Sequence, residues 1–256
     1  MTNDNNAHQS FAVLDIEVLN DLETHGTYAR LDPRAAELRW PFRKVCSASV
    51  LTFSVNGDGL FEFGHLNSYS GSDEKEVITS LFNRLRELPG YTVVTWSGLS
   101  HDLPILRMGA AVHEIVLPPQ LVHNARYGSR HQHLDLAVET KAAGVYAHLS
   151  EIAVRLKLPV KFGGSAARVP VLVEQKRWDH LMELADSDVI VTSMVLASHL
   201  RILGTLVSAT AAHIVIIDEV RRLRRGARYW EYLGRVRARL GCRAMAQAQE
   251  FIASAA

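Results

Sequence analysis

The hydrophobic pattern of the first part of the chain predicts β-strands. FAVLDIEVL, from Phe11, is an apolar run of β-forming residues that two acids interrupt, and its length fits a buried strand better than a helix. VCSASVLTFSV and LFEFGHL flank Asn56-Gly57-Asp58-Gly59, a turn in which positive φ angles cost little, so a hairpin is expected there. TVVTW predicts a fourth strand.

Helical periodicity dominates the rest of the chain. Ser72 starts a helix whose first turn carries acids near the positive end of the helix dipole, and Pro89-Gly90 ends it. Further helices are predicted in HDLPILRMGAAV, LSEIAVRLKL, RWDHLMELADSDVIVTSMVLASHLRIL and the region after Gly204, whereas HLDLAVE fits a short helix or a strand. Residues 161–167 are rich in Gly and Ser and are expected to form a loop. Strands therefore come first, and helices mostly follow.

Composition limits the class of protein without naming a function. With 256 residues, 48% hydrophobic and 21% charged, the chain is an ordinary globular protein of one large domain, or of one domain with an appended piece. Its net charge of +1 gives no overall preference for nucleic acid or acidic membranes, although the C-terminal part is basic. Cys46 and Cys242 stand far apart, which favours a reducing compartment and does not suggest zinc.

The ends and the apolar tracts favour a cytoplasmic protein without membrane contact. Residues 1–10, MTNDNNAHQS, are polar, lack the layout of a signal peptide, and are expected to form a short flexible tail. The longest apolar tract, Ala211 to Ile217, falls well short of the roughly 18 apolar residues that a membrane span needs.

Several carboxylates occupy places that call for an explanation. Asp15 and Glu17 are two apart on a predicted strand, so both should face the same side, where they repel unless a divalent metal neutralises them or the strand is a solvated edge. Asp102 stands between a strand-like run and a helix start, where an acid also caps the helix. Asp188 precedes a strongly apolar stretch of a long helix, and its neighbour Asp186 is expected to be solvated.

Four motifs carry a family resemblance. LDIE at 14–17, VTWSGLSHDLPIL at 94–106, YGSRHQHLDL at 127–136 and DVIVTSMVL at 188–196 resemble the DEDD 3′–5′ exonuclease superfamily. The likeness is to its bacterial branch, which is related to the proofreading exonuclease domain of family B DNA polymerases, and it extends roughly from Phe11 to Gly204.

The resemblance implies an RNase H-like α/β fold for residues 11–204, with a mixed central sheet flanked by helices. Beyond Gly204 the likeness fades, and helical periodicity predicts a helical C-terminal extension over residues 205–256. The resemblance also implies that Asp15, Glu17, Asp102 and Asp188 hold two Mg²⁺ or Mn²⁺ ions. The expected activity is two-metal 3′–5′ hydrolysis of phosphodiester bonds in single-stranded nucleic acid, with DNA somewhat favoured over RNA.

Residues around the second and third motifs are candidates for the cleft. Trp96, Ser97 and His101 are expected to receive the terminal nucleotide, with Trp96 either as a stacking surface or as a core residue. The HQHLD segment, which contains His131, His133 and Asp135, fits local hydrogen bonding near the rim of the cleft better than a metal site.

The motif around Asp188 departs from the superfamily. A Tyr four residues or a His five residues before the last acid normally orients or deprotonates the attacking water, but this chain has Leu184 and Glu183 there. Glu183 or His180 is a candidate replacement. The alternative function is a catalytically impaired domain that binds nucleic acid or a partner protein.

The segment Arg221 to Arg243 is rich in arginine and aromatic residues. Its apolar residues Leu223, Ala227, Trp230 and Leu233 recur at helical spacing, which predicts a helix packed on the domain by one face. The residues predicted to stay outside, as phosphate contacts or as a solvated face, are Arg221, Arg224, Arg225, Arg228 and Arg235. A homodimer through the C-terminal helices is a further alternative.

Overall fold

The computed structural model describes residues 8–32, 37–122, 133–160 and 162–255. The predicted strands and helices appear in the expected order. The strands are β1 Gln9–Asn20, β2 Arg43–Val55, β3 Phe61–Ser70, β4 Thr92–Thr95 and β5 His133–Asp135. The helices are α1 Leu22–Leu31, α2 Glu74–Arg86, α3 Asp102–Val112, α4 Leu136–Glu139, α5 Leu149–Arg155, α6 Val169–Glu174, α7 Trp178–Ile202, α8 Ala209–Leu223 and α9 Trp230–Ala255. The sequence did not predict two of these helices, α1 between the first two strands and α6 before the long helix.

The strands form one mixed sheet with the order β3-β2-β1-β4-β5. β1, β2 and β3 are antiparallel, and the turn between β2 and β3 is the expected hairpin, in which Gly59 has a φ of 74°. β4 and β5 are parallel to β1, and such parallel neighbours need long crossover connections, which here contain α2 and α3. This sheet, with helices on both sides, confirms the RNase H-like α/β fold.

Alternate residues of β1 face two different cores. Ala12, Leu14 and Ile16 pack with α2 and α3, whereas Phe11 and Val13 pack with α7, α8 and α9. Asp15 and Glu17 continue the second set, so their side chains lie on the face of the sheet that α7 covers.

The C-terminal helices share their core with the sheet. Ile216 of α8 and Leu233 of α9 belong to the same buried cluster as Phe53 of β2 and Leu66 of β3. The expected single helix through the Arg-rich segment is wrong. The chain leaves α8 at Leu223, which is 38% exposed, and turns at Gly226 with a φ of 91° before α9 begins at Trp230. The division of the chain at residue 204 stays a prediction.

Among the described residues, every helix is too short or too polar to cross a lipid bilayer.

Candidate functional site

The predicted carboxylates of β1 and α7 meet at one point. Asp15, Glu17 and Asp188 each offer an oxygen, and these three oxygens lie within 4.8 Å of one another. β1 supplies the first two because side chains two residues apart on a strand share a face, and α7 crosses that face with Asp188. The two elements are distant in sequence, so tertiary packing creates the cluster.

Asp102 reaches the same region from the neighbouring strand. β4 pairs in parallel with residues 11–13 of β1, so both strands end towards the same edge of the sheet, and α3 begins with Asp102 just beyond β4. The side chain is 8% exposed, and its buried Oδ2 has no hydrogen-bond partner among the described residues. An oxygen in that state fits a role as a ligand of a cation.

The carboxyl groups perturb one another strongly. Burial, followed by repulsion from Asp188 and Asp102, raises the pKa of Glu17 to about 8. Burial and repulsion from Asp135 and Asp188 raise the pKa of Asp102 to about 7. The pKa of Asp15 is also raised well above its usual value, first by burial and then by Asp188, Asp102 and Glu17. Such a set of oxygen donors suits a hard divalent cation, whose charge would compensate the repulsion.

An open cleft of about 700 Å³ adjoins two of these acids. Its wall includes Asp102 and Asp188 together with Trp96, Ser97 and His101, the three residues expected to receive a nucleotide. Trp96 also packs against the buried cluster under α7, so it is a half-buried core residue whose exposed part lines the cleft. Residues that the sequence did not single out form the rest of the wall: Ser100, Tyr146, Ala147, His148, Leu149, Ser150, Val160, Gly164, Ser165, Ala166 and Val191.

Asp135 organises the loop that leads to Asp102. Its two carboxylate oxygens accept hydrogen bonds from the backbone N–H groups of Ser97 and Leu99, both at 2.9 Å. Ser97 has a φ of 60°, and a Cβ at Gly98 would lie 2.2 Å from the hydroxyl of Thr95, so this loop is tightly folded. Asp135 thus makes the local hydrogen bonds expected near the rim of the cleft, and His131 lies outside the described residues.

The two candidate replacements for the usual Tyr or His lie away from the cleft. Glu183 accepts hydrogen bonds from the backbone N–H and the guanidinium of Arg228. His180 contacts Arg177 and lies 3.5 Å from Asp179. Neither side chain is part of the wall of the cleft that Asp102 and Asp188 line, and Glu183 instead lines a second pocket together with Asp186 and Arg224. Leu184, at the usual Tyr position, is 3% exposed and fills an apolar cluster.

Asp186 is the residue that sequence reasoning placed wrongly. Instead of being solvated it is 1% exposed, and it accepts hydrogen bonds from Ser49 Oγ at 2.8 Å, Arg224 Nε at 2.8 Å and Tyr229 OH at 3.2 Å, and also from Ser68. Burial and the adjacent Asp186 carboxylate raise the pKa of Tyr229. The acid joins α7 to β2, β3 and the turn before α9.

Most of the arginines predicted to contact phosphate have partners within the protein. Arg224 binds Asp186 and Ser68, Arg228 binds Glu183, and the guanidinium of Arg221 lies 4.0 Å above the ring of Trp230. For Arg224 this corrects the expectation of an outward side chain, since it is only 28% exposed. Arg225 is exposed at the turn, as expected.

The mixed sheet and the clustered acids of β1, α3 and α7 are those expected of the DEDD 3′–5′ exonuclease superfamily. The chain belongs to the family described as predicted 3′–5′ exonucleases related to the exonuclease domain of PolB, whose model matches residues 37–233. The match begins after the two acids of β1 and extends beyond Gly204, where the likeness was expected to end.

Two solved structures are similar to this chain at low sequence identity. One is the family B DNA polymerase from the hyperthermophilic archaeon Pyrobaculum calidifontis, with 17% identity and a TM-score of 0.46 over 80% of this chain and 26% of the polymerase. The other is a product-bound exonuclease I, with 8% identity and a TM-score of 0.46 over 76% of this chain and 43% of that protein. The chain thus spans less than half the length of either protein. A search of curated proteins finds no match.

Proposed function

We propose that this protein is a divalent-metal-dependent 3′–5′ exonuclease that acts on single-stranded nucleic acid, DNA in preference to RNA. The observation that supports it most is the cluster of Asp15, Glu17 and Asp188, whose oxygens lie within 4.8 Å of one another beside the buried Asp102. Membership of the exonuclease family supplies the direction of cleavage.

The four acids are the groups that would hold Mg²⁺ or Mn²⁺. Carboxylate oxygens suit both ions, and Oδ2 of Asp102, which has no hydrogen-bond partner among the described residues, could act as a metal ligand. Two bound ions would lower the pKa of a water molecule and neutralise charge on the scissile phosphate. The adjoining cleft, with Trp96 and His101 in its wall, would hold the 3′-terminal nucleotide in line with that water.

Polyanion binding beyond the cleft would involve Arg225, which is exposed, and the accessible edges of Arg221 and Arg228. Arg224 would act through the fold, because its guanidinium is bound to Asp186. A homodimer through α8 and α9 stays a prediction.

A catalytically impaired binding domain is the second candidate. The observation that supports it is Leu184, which lies four residues before Asp188, is buried, and has no group that could orient water. In this case the cleft would bind nucleic acid or a partner protein, and the acids would hold a metal without fast hydrolysis.

Digestion of 5′-labelled single-stranded DNA and RNA, in Mg²⁺ or Mn²⁺, separates these functions. We expect a ladder of progressively shortened labelled products, and Asp15→Asn and Asp188→Asn should each lower the rate at least about 10²-fold. Asp58→Asn is the matched control, because Asp58 is an exposed acid in the turn between β2 and β3. Intact substrate with normal oligonucleotide binding would establish the binding domain instead.

A further inference from the structure

A tight turn between α4 and α5 directly precedes residues that line the cleft. Ala142 and Val145 pair through two backbone hydrogen bonds, from Ala142 N at 3.2 Å and from Val145 N at 2.9 Å. The two residues between them, Ala143 and Gly144, have φ angles of 50° and 77°, which is the geometry of a type I′ turn. A left-handed alanine is unfavourable, and such strain recurs where a backbone must present a side chain in a fixed position.

The residue after this turn is Tyr146, which is 54% exposed and lines the same cleft as Trp96, Asp102 and Asp188. The residue before the turn is Lys141, whose Nζ lies 5.7 Å from the centroid of the Tyr146 ring. The hairpin therefore brings an exposed aromatic ring and an exposed cation together at the rim of an acidic cleft. Neither side chain belongs to the buried clusters of the fold.

We propose that the turn of residues 141–146 is a single-strand binding element, in which Tyr146 stacks on a base of the strand that enters the cleft and Lys141 contacts its phosphate. This inference rests on the proposed nuclease function and adds the source of its preference for single strands. An aromatic ring can stack on any unpaired base, but a base inside a duplex already has neighbours on both of its faces. A cation beside the ring offsets the repulsion between the strand and the acids of the cleft.

The loss of single-strand affinity in variants of Tyr146 and Lys141 tests whether these side chains contact the strand. Loss of one stacked base weakens binding by about 5- to 150-fold, and loss of one phosphate contact lowers the salt slope of single-strand binding by about 0.7. Tyr146→Leu removes the π system, Tyr146→Phe keeps it, and Val145→Ala is the matched control, because Val145 is 68% exposed on the same turn.

The experiment measures the affinity of the full chain, in the Asp188→Asn background with Mg²⁺, for a labelled single-stranded DNA, for the same strand with abasic sites, and for a blunt duplex. We expect Tyr146→Leu to weaken binding of the normal strand only, and Tyr146→Phe and Val145→Ala to bind like the parent. We expect Lys141→Gln to reduce the salt slope. Unchanged affinity in Tyr146→Leu, or an equal loss on the abasic strand, would overturn the proposal.

A cleavage assay of the protein with Asp188 intact distinguishes failure of this inference from failure of the proposed function. If that protein cleaves and Tyr146→Leu leaves KM unchanged, the stacking element is overturned and the nuclease stands. If it does not cleave but Tyr146→Leu still weakens binding of the normal strand, the stacking element stands and the nuclease fails. If it neither cleaves nor binds, both are overturned.

Discussion

Asp186 and Asp188 are two residues apart on α7, yet the two carboxylates have opposite electrostatic surroundings. Asp186 is surrounded by donors, from Arg224, Tyr229, Ser49 and Ser68. Asp188 instead approaches two other acids and contributes to the raised pKa of Glu17. Because the helix turns by about 200° between them, the two acids face different surroundings.

The comparison shows that burial alone does not distinguish a structural acid from a candidate metal ligand. Asp186 is 1% exposed, and Glu17 of the acidic cluster is 7% exposed, so both are buried. The difference lies in the compensating partners. A compensated carboxylate holds elements together, whereas a cluster whose charges repel is ready to take up a cation.

The largest expected effect on stability is that of Asp186→Asn, which removes the negative charge of this carboxylate. Asp186→Asn leaves the partly buried charge of Arg224 without its counterion, which should lower the free energy of unfolding by about 3–5 kcal/mol in urea titrations. Asp218→Asn is the matched control, because Asp218 pairs with Arg237 at the surface, where solvent screens the pair, so its loss should cost far less. Equal losses in the two variants would show that Asp186 has no special structural role.

Sequence reasoning succeeded where local periodicity decides the outcome. The strand period of two placed Asp15 and Glu17 on one face, and the hairpin at Gly59 followed from its turn residues. It failed for Asp186, because the partners Arg224 and Tyr229 lie 38 and 43 residues further along the chain. Nothing local in a long helix indicates that a distant turn folds back to neutralise one of its acids.

The pH dependence of stability should come from the acidic cluster. Its carboxyl pKa values are raised in the folded protein, to about 8 for Glu17 and about 7 for Asp102, so the folded state binds more protons than the unfolded state. The contribution of these groups to the stability of the metal-free protein should be largest below about pH 4. As the pH rises towards 8, the free energy of unfolding should fall by about 1.4 kcal/mol per pH unit for each proton that the folded state binds in excess of the unfolded state.

Unfolding in EDTA and in saturating Mg²⁺, at several pH values, measures this slope. Mg²⁺ should flatten it, and Asp188→Asn should reduce it and stabilise the metal-free protein at high pH, which is the opposite sign to Asp186→Asn. A metal-free protein whose stability does not fall between about pH 5 and about pH 8 would contradict the repulsion described for the cluster.

The smallest expected effect is that of Glu183→Gln on catalysis. Glu183 lies five residues before Asp188, at the place where the superfamily carries a His, but its oxygens accept hydrogen bonds from Arg228. Gln keeps an acceptor for the backbone N–H of Arg228, so stability should change by no more than about 1 kcal/mol, and the cleavage rate should stay near that of the parent. A general base contributes about 10²–10⁴-fold, and a rate loss of that size in Glu183→Gln, without a change in oligonucleotide affinity, would mean that Glu183 leaves Arg228 to activate the water.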